Sequence, residues 1–359
     1  MGTQLKVAIV GAGIGREHLA GYLALPEQYA VTHICDIDEA RAEEIIAEAN
    51  AGDVLIEPDF QKIIGDDAID VVDICLPPHL HFDMSKAALE AGKHVVCEKP
   101  LVSSLADADR LAEIAEANNR LLTPVFQYRY GPGFAKLKAL MDAGLAGKPL
   151  LASVDTQWNR LPEYYANPWR GTWKGEQGGA VLGHAIHNHD LLCAVFGPIG
   201  EVHAFTATRV NDIEVEDCAS ISMKMKNGAL ATSSVTLGSH NDITRFRFCF
   251  ENLTAESGTL PYQPSEGEWT FGARGANVTQ AQVDAILAEV PDAKPGFVGF
   301  FEAMWNKIQN GGNNAVTLED GRRSLELVTA IYLSSRTQRI IELPLTKDCD
   351  LYESWLPSE

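Results

Sequence analysis

Along the first third of the chain, apolar residues come in short runs separated by stretches of helical spacing. Runs at Lys6–Val10, Ala30–Cys35, Ile69–Leu76, His94–Cys97 and Leu121–Phe126 predict strands. Between several of them lie helix-like segments. Glu39–Ala49 is rich in Ala, Glu and Ile, and Phe82–Glu90 carries Met84, Ala87, Ala88 and Leu89. Ser104–Ala117 places Leu105, Ala108, Leu111, Ala112 and Ala115 at helical spacing behind Ser103 or Ser104 as an N-cap. Strands that are apolar throughout and alternate with helices predict a parallel sheet covered on both faces. This domain is placed at residues 1–125.

The pattern then changes. Leu151–Gln157, Val202–Arg209, Ala219–Lys226, Leu230–Leu237 and Thr244–Glu251 alternate polar with apolar positions, and Lys226-Asn227-Gly228 is a turn signal between two of them. Helices are expected at Ala180–Phe196 and Glu319–Thr337. Residues 126–359 therefore read as a C-terminal α/β domain with a large, mostly antiparallel, open sheet. The fold class is α/β with two domains.

Composition narrows the class of function. The chain of 359 residues is 46% hydrophobic and 22% charged, enough apolar matter for two cores without disulfide or metal staples. A formal net charge of -20 repels phosphate backbones and anionic lipid, so neither nucleic acid nor membrane is an expected partner. There is no apolar run long enough to span a bilayer and no secretory signal pattern, and a cytoplasmic location is expected. Seven cysteines without a C-x-x-C spacing read as reduced thiols, with Cys35, Cys75 and Cys97 in apolar runs.

Chemistry begins where the first strand runs into Gly11-Ala12-Gly13-Ile14-Gly15-Arg16, followed by helical spacing through His18, Leu19 and Tyr22. Strand, glycine turn and helix N-terminus make a cradle for a pyrophosphate: Gly11 permits the tight turn and Gly13 the close approach of the backbone. The third glycine of the G-x-G-x-x-G pattern would fall at Arg16, but a glycine stands one place early, at Gly15. The second strand ends at Asp36, where a carboxylate can accept hydrogen bonds from ribose hydroxyls and repel a 2′-phosphate. That favours NAD over NADP. Asp38 is expected to cap the next helix.

Leu76-Pro77-Pro78-His79-Leu80-His81 and Ala91-Gly92-Lys93-His94-Val95-Val96-Cys97-Glu98-Lys99-Pro100-Leu101 name a family. Together they resemble the T-P-x-x-x-H … A-G-K-H-V-x-x-E-K-P-L signature of the Gfo/Idh/MocA oxidoreductases, with Leu76 in place of threonine. Gln127-Tyr128-Arg129, Trp169-Arg170, Gly178-Gly179-Ala180 leading to His187 and Asp190, and the late Asp320–Glu326 segment extend the resemblance over nearly the whole chain. The resemblance implies an N-terminal Rossmann domain and a C-terminal sheet through which subunits associate as a homodimer or homotetramer. It also implies hydride transfer between NAD and a secondary hydroxyl or keto group of a sugar, sugar acid or cyclitol. Lys99 is then the lysine near the nicotinamide and the reacting oxygen, and His187 the group that takes or gives the substrate proton. Gly11, Gly13, Ile14, Gly15, Asp36, Leu76, Pro77, His81, Glu98, Lys99 and Gln127 are the expected cofactor-binding positions. Arg129, Trp169, Arg170, His184, His187 and Lys99 are the expected substrate-binding ones.

One departure matters. The family usually places an aspartate four residues before the catalytic histidine, and here that position is Gly183. His184, three residues before His187, is a candidate to replace part of its role, either by fixing the tautomer of His187 or by acting as the base itself. His184, His187 and His189 also raise the question of a metal, but on a regular helix His189 points elsewhere and no acidic ligand pattern completes a site; no metal is expected. Asp190 reads as a helix hydrogen-bonding or packing residue. Two alternatives to a dehydrogenase remain within the family: a non-catalytic NAD-binding sensor, and a lyase or glycosidase that keeps its NAD.

Overall fold

The computed structural model describes residues 2–275 and 277–357. The chain divides into two compact units, one of Met1–Phe126 with Phe297–Arg322 and one of Gln127–Gly296 with Arg323–Glu359.

In the first unit the elements follow as β1 (Leu5–Val10), α1 (Gly15–Leu23), β2 (Tyr29–Cys35), α2 (Glu39–Glu48), β3 (Leu55–Ile56), α3 (Phe60–Gly65), β4 (Val71–Ile74), α4 (His81–Glu90), β5 (His94–Cys97), α5 (Leu105–Ala117) and β6 (Leu122–Pro124). The strands form one six-stranded parallel sheet in the order β3-β2-β1-β4-β5-β6. The order reverses between β1 and β4, and the crevice beyond the carboxyl ends of strands at such a reversal is where doubly wound sheets bind ligands. The expected caps are present. The Asp38 side chain accepts from the Arg41 N–H and the Ser104 side chain from the Asp107 N–H. Cys35, Cys75 and Cys97 are buried thiols.

The second unit contains α6 (Pro132–Asp142), β7 (Pro149–Asn159), a π-helical turn at Val181–Ala185 leading into α7 (Ile186–Phe196), then β8 (Ile199–Ala207), β9 (Cys218–Met225), β10 (Leu230–Thr236), β11 (Gly238–Phe250), β12 (Leu253–Glu256), β13 (Thr270–Ala273) and α8 (Gln280–Glu289). Helices α9 (Gly296–Asn310) and α10 (Leu318–Thr337) and strand β14 (Ile341–Glu342) end the order. The eight strands lie as β13-β12-β11-β7-β10-β9-β8-β14. All neighbours are antiparallel except β7 and β10, which run parallel. Burial alternates along β9 and β10, so one face is packed and the other is open. Phe205, Leu151 and Leu230 are exposed on the open face.

The sequence pattern assigns everything after residue 125 to the second domain, but Phe297–Arg322 groups with the first unit. The cause is aromatic. The Phe301 ring stacks on Tyr22 at 3.7 Å between centroids, and the Tyr29 hydroxyl donates to the Phe301 carbonyl at 2.8 Å. Among the described residues no helix is long and apolar enough to cross a membrane.

Candidate active site

The glycine turn after β1 is built by close approach. Gly11 has φ +104°, and a Cβ there would lie 2.5 Å from the Cys75 carbonyl oxygen. A Cβ at Gly15 would meet Ile9 Cγ2 at 2.9 Å. Gly15 therefore does the packing of helix on strand that the missing third glycine normally does, and Arg16 is left at the surface against Glu44 and Glu48. Gly13 differs from both, since a Cβ there would meet nothing within 4 Å, leaving open ground beside the backbone. Ile14 precedes α1 without a side-chain cap, so no side chain occupies the helix N-terminus, where an anion is favoured.

Asp36 lies at the end of β2 and is half-buried. One carboxylate oxygen accepts from the Ala12 N–H at 2.7 Å and the other from the Asp38 N–H at 2.8 Å. The residue thus ties β2 to the glycine turn, and each oxygen keeps a lone pair for a further donor. An open backbone at Gly13, an uncapped helix start and an anchored carboxylate fit the pyrophosphate and ribose of a dinucleotide.

The segment from Leu76 to Pro100 is braced by His81. Its Nδ1 lies 2.7 Å from the Pro100 carbonyl oxygen and its Nε2 2.7 Å from the Leu76 carbonyl oxygen. Burial pulls the imidazole below its ordinary pKa while the two carbonyls act in the opposite direction. His81 is expected from sequence to bind cofactor. It is fully buried with both nitrogens engaged, so it acts by holding Leu76 and Pro100 in place. Leu76 in turn lies against the glycine turn, its Cδ2 3.1 Å from where a Gly11 Cβ would be. Pro77 is half-buried beside it. Glu98 is buried, with Oε2 accepting the Lys99 N–H at 3.0 Å and Oε1 3.1 Å from His18 Nε2, so both oxygens brace this segment. The Lys99–Pro100 peptide bond is cis, and the Lys99 side chain is half-buried.

In the second unit, the π-helical turn before α7 sets the histidine segment. A π turn shifts the angular spacing of residues, and such turns are common at functional sites. His184 faces the edge of Trp158, ring centroids 5.2 Å apart, and its Nε2 lies 3.4 Å from the Tyr164 hydroxyl. His187 stacks on Tyr128 at 4.5 Å. His189 turns away to Ser233, its Nε2 2.9 Å from Oγ, and burial holds its pKa down at about 4. The three histidines therefore reach three different partners. Asp190 receives a two-pronged ion pair from Arg129, at 2.7 Å from Nε and 2.6 Å from Nη2. Arg129, expected to touch substrate, is thus committed to fixing α7. The Gln127 side-chain oxygen is buried and has no hydrogen-bond partner among the described residues, so it can accept from a bound molecule.

Around His184 lies a cationic and aromatic group. The Arg170 guanidinium sits over the rings of Tyr164 and Trp169 at 4.2 and 4.4 Å. It donates to the Tyr164 hydroxyl and, at 3.2 Å, to Glu176 Oε1. Arg160 lies over Trp158 and Tyr164. Glu176 was not legible in the sequence as a site residue. It is buried, and a Cβ at Gly183 would find its Oε1 at 3.8 Å as the nearest atom.

A second carboxylate the sequence did not reveal is Glu216. It closes the start of the π turn: Oε1 accepts from the Val181 N–H at 3.0 Å and Oε2 from the Gly179 N–H at 3.1 Å, with the Tyr332 hydroxyl 3.1 Å from both. The Glu216 carbonyl oxygen stands only 1.8 Å from where a Gly179 Cβ would be, which is why glycine is required there. Burial pushes the Glu216 carboxyl up to about 7, against these donors.

A six-stranded doubly wound unit with a glycine turn and a carboxylate after β2, joined in one chain to a second unit built on an open sheet, defines a dinucleotide-dependent oxidoreductase. Residues 5–126 match the oxidoreductase family with an NAD-binding Rossmann fold, and residues 134–256 match the Gfo/Idh/MocA C-terminal domain. The chain belongs to the Gfo/Idh/MocA oxidoreductase family and binds NAD in its Rossmann unit. It is 30% identical to the oxidoreductase YrbE of Bacillus subtilis over 64% of this chain and 67% of that one. It is 35% identical to inositol 2-dehydrogenase of Salmonella typhimurium, over 45% of this chain and 48% of the enzyme, about half the length of each. Among solved structures, the WlbA dehydrogenase of Chromobacterium violaceum, in complex with NADH and UDP-GlcNAcA, superposes with a TM-score of 0.82 at 27% identity, covering 96% of this chain and 97% of that one.

Proposed function

We propose that the protein transfers a hydride between NAD and a secondary hydroxyl or keto carbon of a sugar, sugar acid or cyclitol. The observation that carries this reading is the fixing of Lys99 on both sides, by Glu98 at its own N–H and by His81 at the Pro100 carbonyl. Gly11, Gly13, the start of α1 and Asp36 hold the dinucleotide. Bound NAD supplies the hydride acceptor in the oxidising direction.

The chain's own groups manage charge and proton. As the hydroxyl proton is withdrawn, negative charge develops on the oxygen, the Lys99 ammonium donates a hydrogen bond to it, and that charge is consumed in forming the carbonyl as the carbon-bound hydrogen leaves with its electron pair. The imidazole of His187 takes the hydroxyl proton. Its stacking on Tyr128 and the Arg129–Asp190 ion pair on the same helix hold the ring in one orientation. Arg170 and the half-buried Trp169 offer a donor and a flat apolar face of the kind a pyranose or cyclitol ring takes. The names of the relatives, an inositol dehydrogenase and a dehydrogenase seen with a sugar nucleotide acid, support the ring class. The exposed apolar positions on the open sheet face support association of copies through that face.

The test is a panel of sugars, sugar acids and cyclitols read by NADH absorbance, run on the wild type and on Lys99→Met. The variant should keep its fold and NAD binding but lose turnover by at least ~100-fold. Near-normal turnover in Lys99→Met, or tightly held NAD with no net NADH from any compound on the panel, would overturn the proposal.

A further inference from the structure

The Rossmann unit buries a set of charges that the proposed reaction leaves unexplained. His18, on α1 just past the glycine turn, is completely buried. Its Nδ1 lies 2.8 Å from Asp73 Oδ2, and its Nε2 lies 3.1 Å from Glu98 Oε1. Asp73 is itself fully buried in the middle of β4, whose other positions are Val71, Val72 and Ile74. A carboxylate there breaks the apolar pattern that a central parallel strand requires. Cys75 Sγ stands 3.3 Å from the same Nδ1. Phe297 and Phe301 close the remaining side with ring centroids 4.5 and 5.6 Å from the imidazole, and Tyr22 is the further titratable group nearby on α1.

Two carboxylates face the two ring nitrogens, and only the doubly protonated imidazole can donate to both. Burial opposes that charge, but Asp73 and Cys75 together outweigh it and hold the imidazole well above its ordinary pKa. A buried ionic cluster is seldom more stable than apolar side chains of the same volume, so stability alone gives no reason for it. Orientation does. The other oxygen of Glu98 accepts the Lys99 N–H, so the chain of contacts runs from β4 through His18 and Glu98 to Lys99. His18, Asp73 and Cys75 also offer three ligand atoms within 4.8 Å of one another. A spacing of 2.8 Å between Nδ1 and Oδ2 is that of a direct hydrogen bond, whereas ligands sharing an ion at ~2.1 Å stand further apart than this.

We propose that His18 is a positioning residue for turnover: bridging Asp73 and Glu98, it fixes the carboxylate that sets Lys99, and it acts on the reaction only through Lys99. This rests on Lys99 being the group that faces the reacting oxygen. The experiment measures kcat, KM and NAD affinity for His18→Gln and Asp73→Asn, each alone and combined with Lys99→Met. Alone, either variant should lower kcat by ~10-fold or more while NAD affinity and substrate KM move by less than ~3-fold, as losses of supporting contacts do. On the Lys99→Met background, His18→Gln should leave the residual turnover where it is. A purely structural role would lower both backgrounds by the same factor, and that result overturns the proposal. So does normal kcat in both single variants, or stoichiometric metal in the purified protein whose removal abolishes turnover. If His18→Gln does not fold, Asp73→Asn alone and on the Lys99→Met background decides by the same criteria. Loss in His18→Gln with normal turnover in Lys99→Met would instead fault the role given to Lys99, so the two failures are distinguishable.

Discussion

Glu216→Gln tests whether the start of the histidine segment rests on a protonated carboxyl. The carboxylate is fully buried and its pKa stands at about 7 rather than 4.5, because burial disfavours the charge more than the Val181 and Gly179 N–H groups and the Tyr332 hydroxyl favour it. The folded protein therefore holds this proton more tightly than the unfolded chain. Stability from the group is complete below pH 4.5, is lost as pH rises to about 7, and is flat above that. A displacement from 4.5 to about 7 corresponds to about 3 kcal/mol. Glutamine has the same shape and no charge at any pH, so the variant should lack this slope. It exchanges one acceptor oxygen for an amide donor, which costs about 1 kcal/mol in hydrogen bonding. The variant should therefore be more stable than the wild type by about 2 kcal/mol at pH 8 and slightly less stable at pH 5. Five of the six tryptophans, all but Trp305, belong to the second unit, so urea unfolding followed by tryptophan fluorescence reports on the right part of the chain. A variant that is destabilised equally at pH 5 and pH 8 would refute the reasoning, since the wild-type group would then be ionised throughout.

Three further outcomes follow from the site. Asp36→Ser should weaken the preference for NAD over NADP and also loosen the glycine turn, because the carboxylate receives the Ala12 and Asp38 N–H groups; calorimetric titration of both cofactors measures this, and an unchanged preference removes the role of Asp36. Gly183→Asp should destabilise the protein at neutral pH, since its Cβ would stand 3.8 Å from Glu176 Oε1 and two carboxylates held at close to that distance repel by up to ~4 kcal/mol at an intermediate dielectric. Adding Glu176→Gln should restore most of that loss in a melting experiment, and no restoration would mean that the two side chains do not meet. His187→Ala should abolish the rise of rate with pH near neutrality, while His184→Ala should lower the rate and keep the rise; the reverse pattern would move the base to His184.

What the sequence made legible is what is local. Five of the six strands of the first unit, the caps at Asp38 and Ser104 and the glycine turn follow from periodicity and residue chemistry over a few positions, whereas the two-residue β3 carries too short a pattern to be read. The return of Phe297–Arg322 to the first unit was not legible, because a helix that is apolar on one face carries no mark of which sheet it will cover. The π turn at Val181–Ala185 was equally hidden, being fixed from outside by Glu216, more than thirty residues away in sequence. Arg129 shows the same limit at the site. Its resemblance to a cleft position is visible in sequence, but its commitment to Asp190 depends on where α7 packs.

Gly183 brings these points together. From sequence alone, the glycine looks like a lost carboxylate, and the loss puts the proton chemistry of His187 in question. In the folded chain, the space its side chain would enter is bordered by the Glu176 carboxylate, which arrives from the loop before the segment. Glu176 is held there by the Gly171 N–H at 2.7 Å and by Arg170. Arg170 in turn donates to the Tyr164 hydroxyl, which lies 3.4 Å from His184 Nε2. The carboxylate beside Gly183 thus belongs to the loop rather than the helix, and its contacts run to His184 through an arginine and a tyrosine. Under the proposed reaction the developing oxyanion is met by the Lys99 ammonium, while Glu176 reaches the histidine segment through its neighbours.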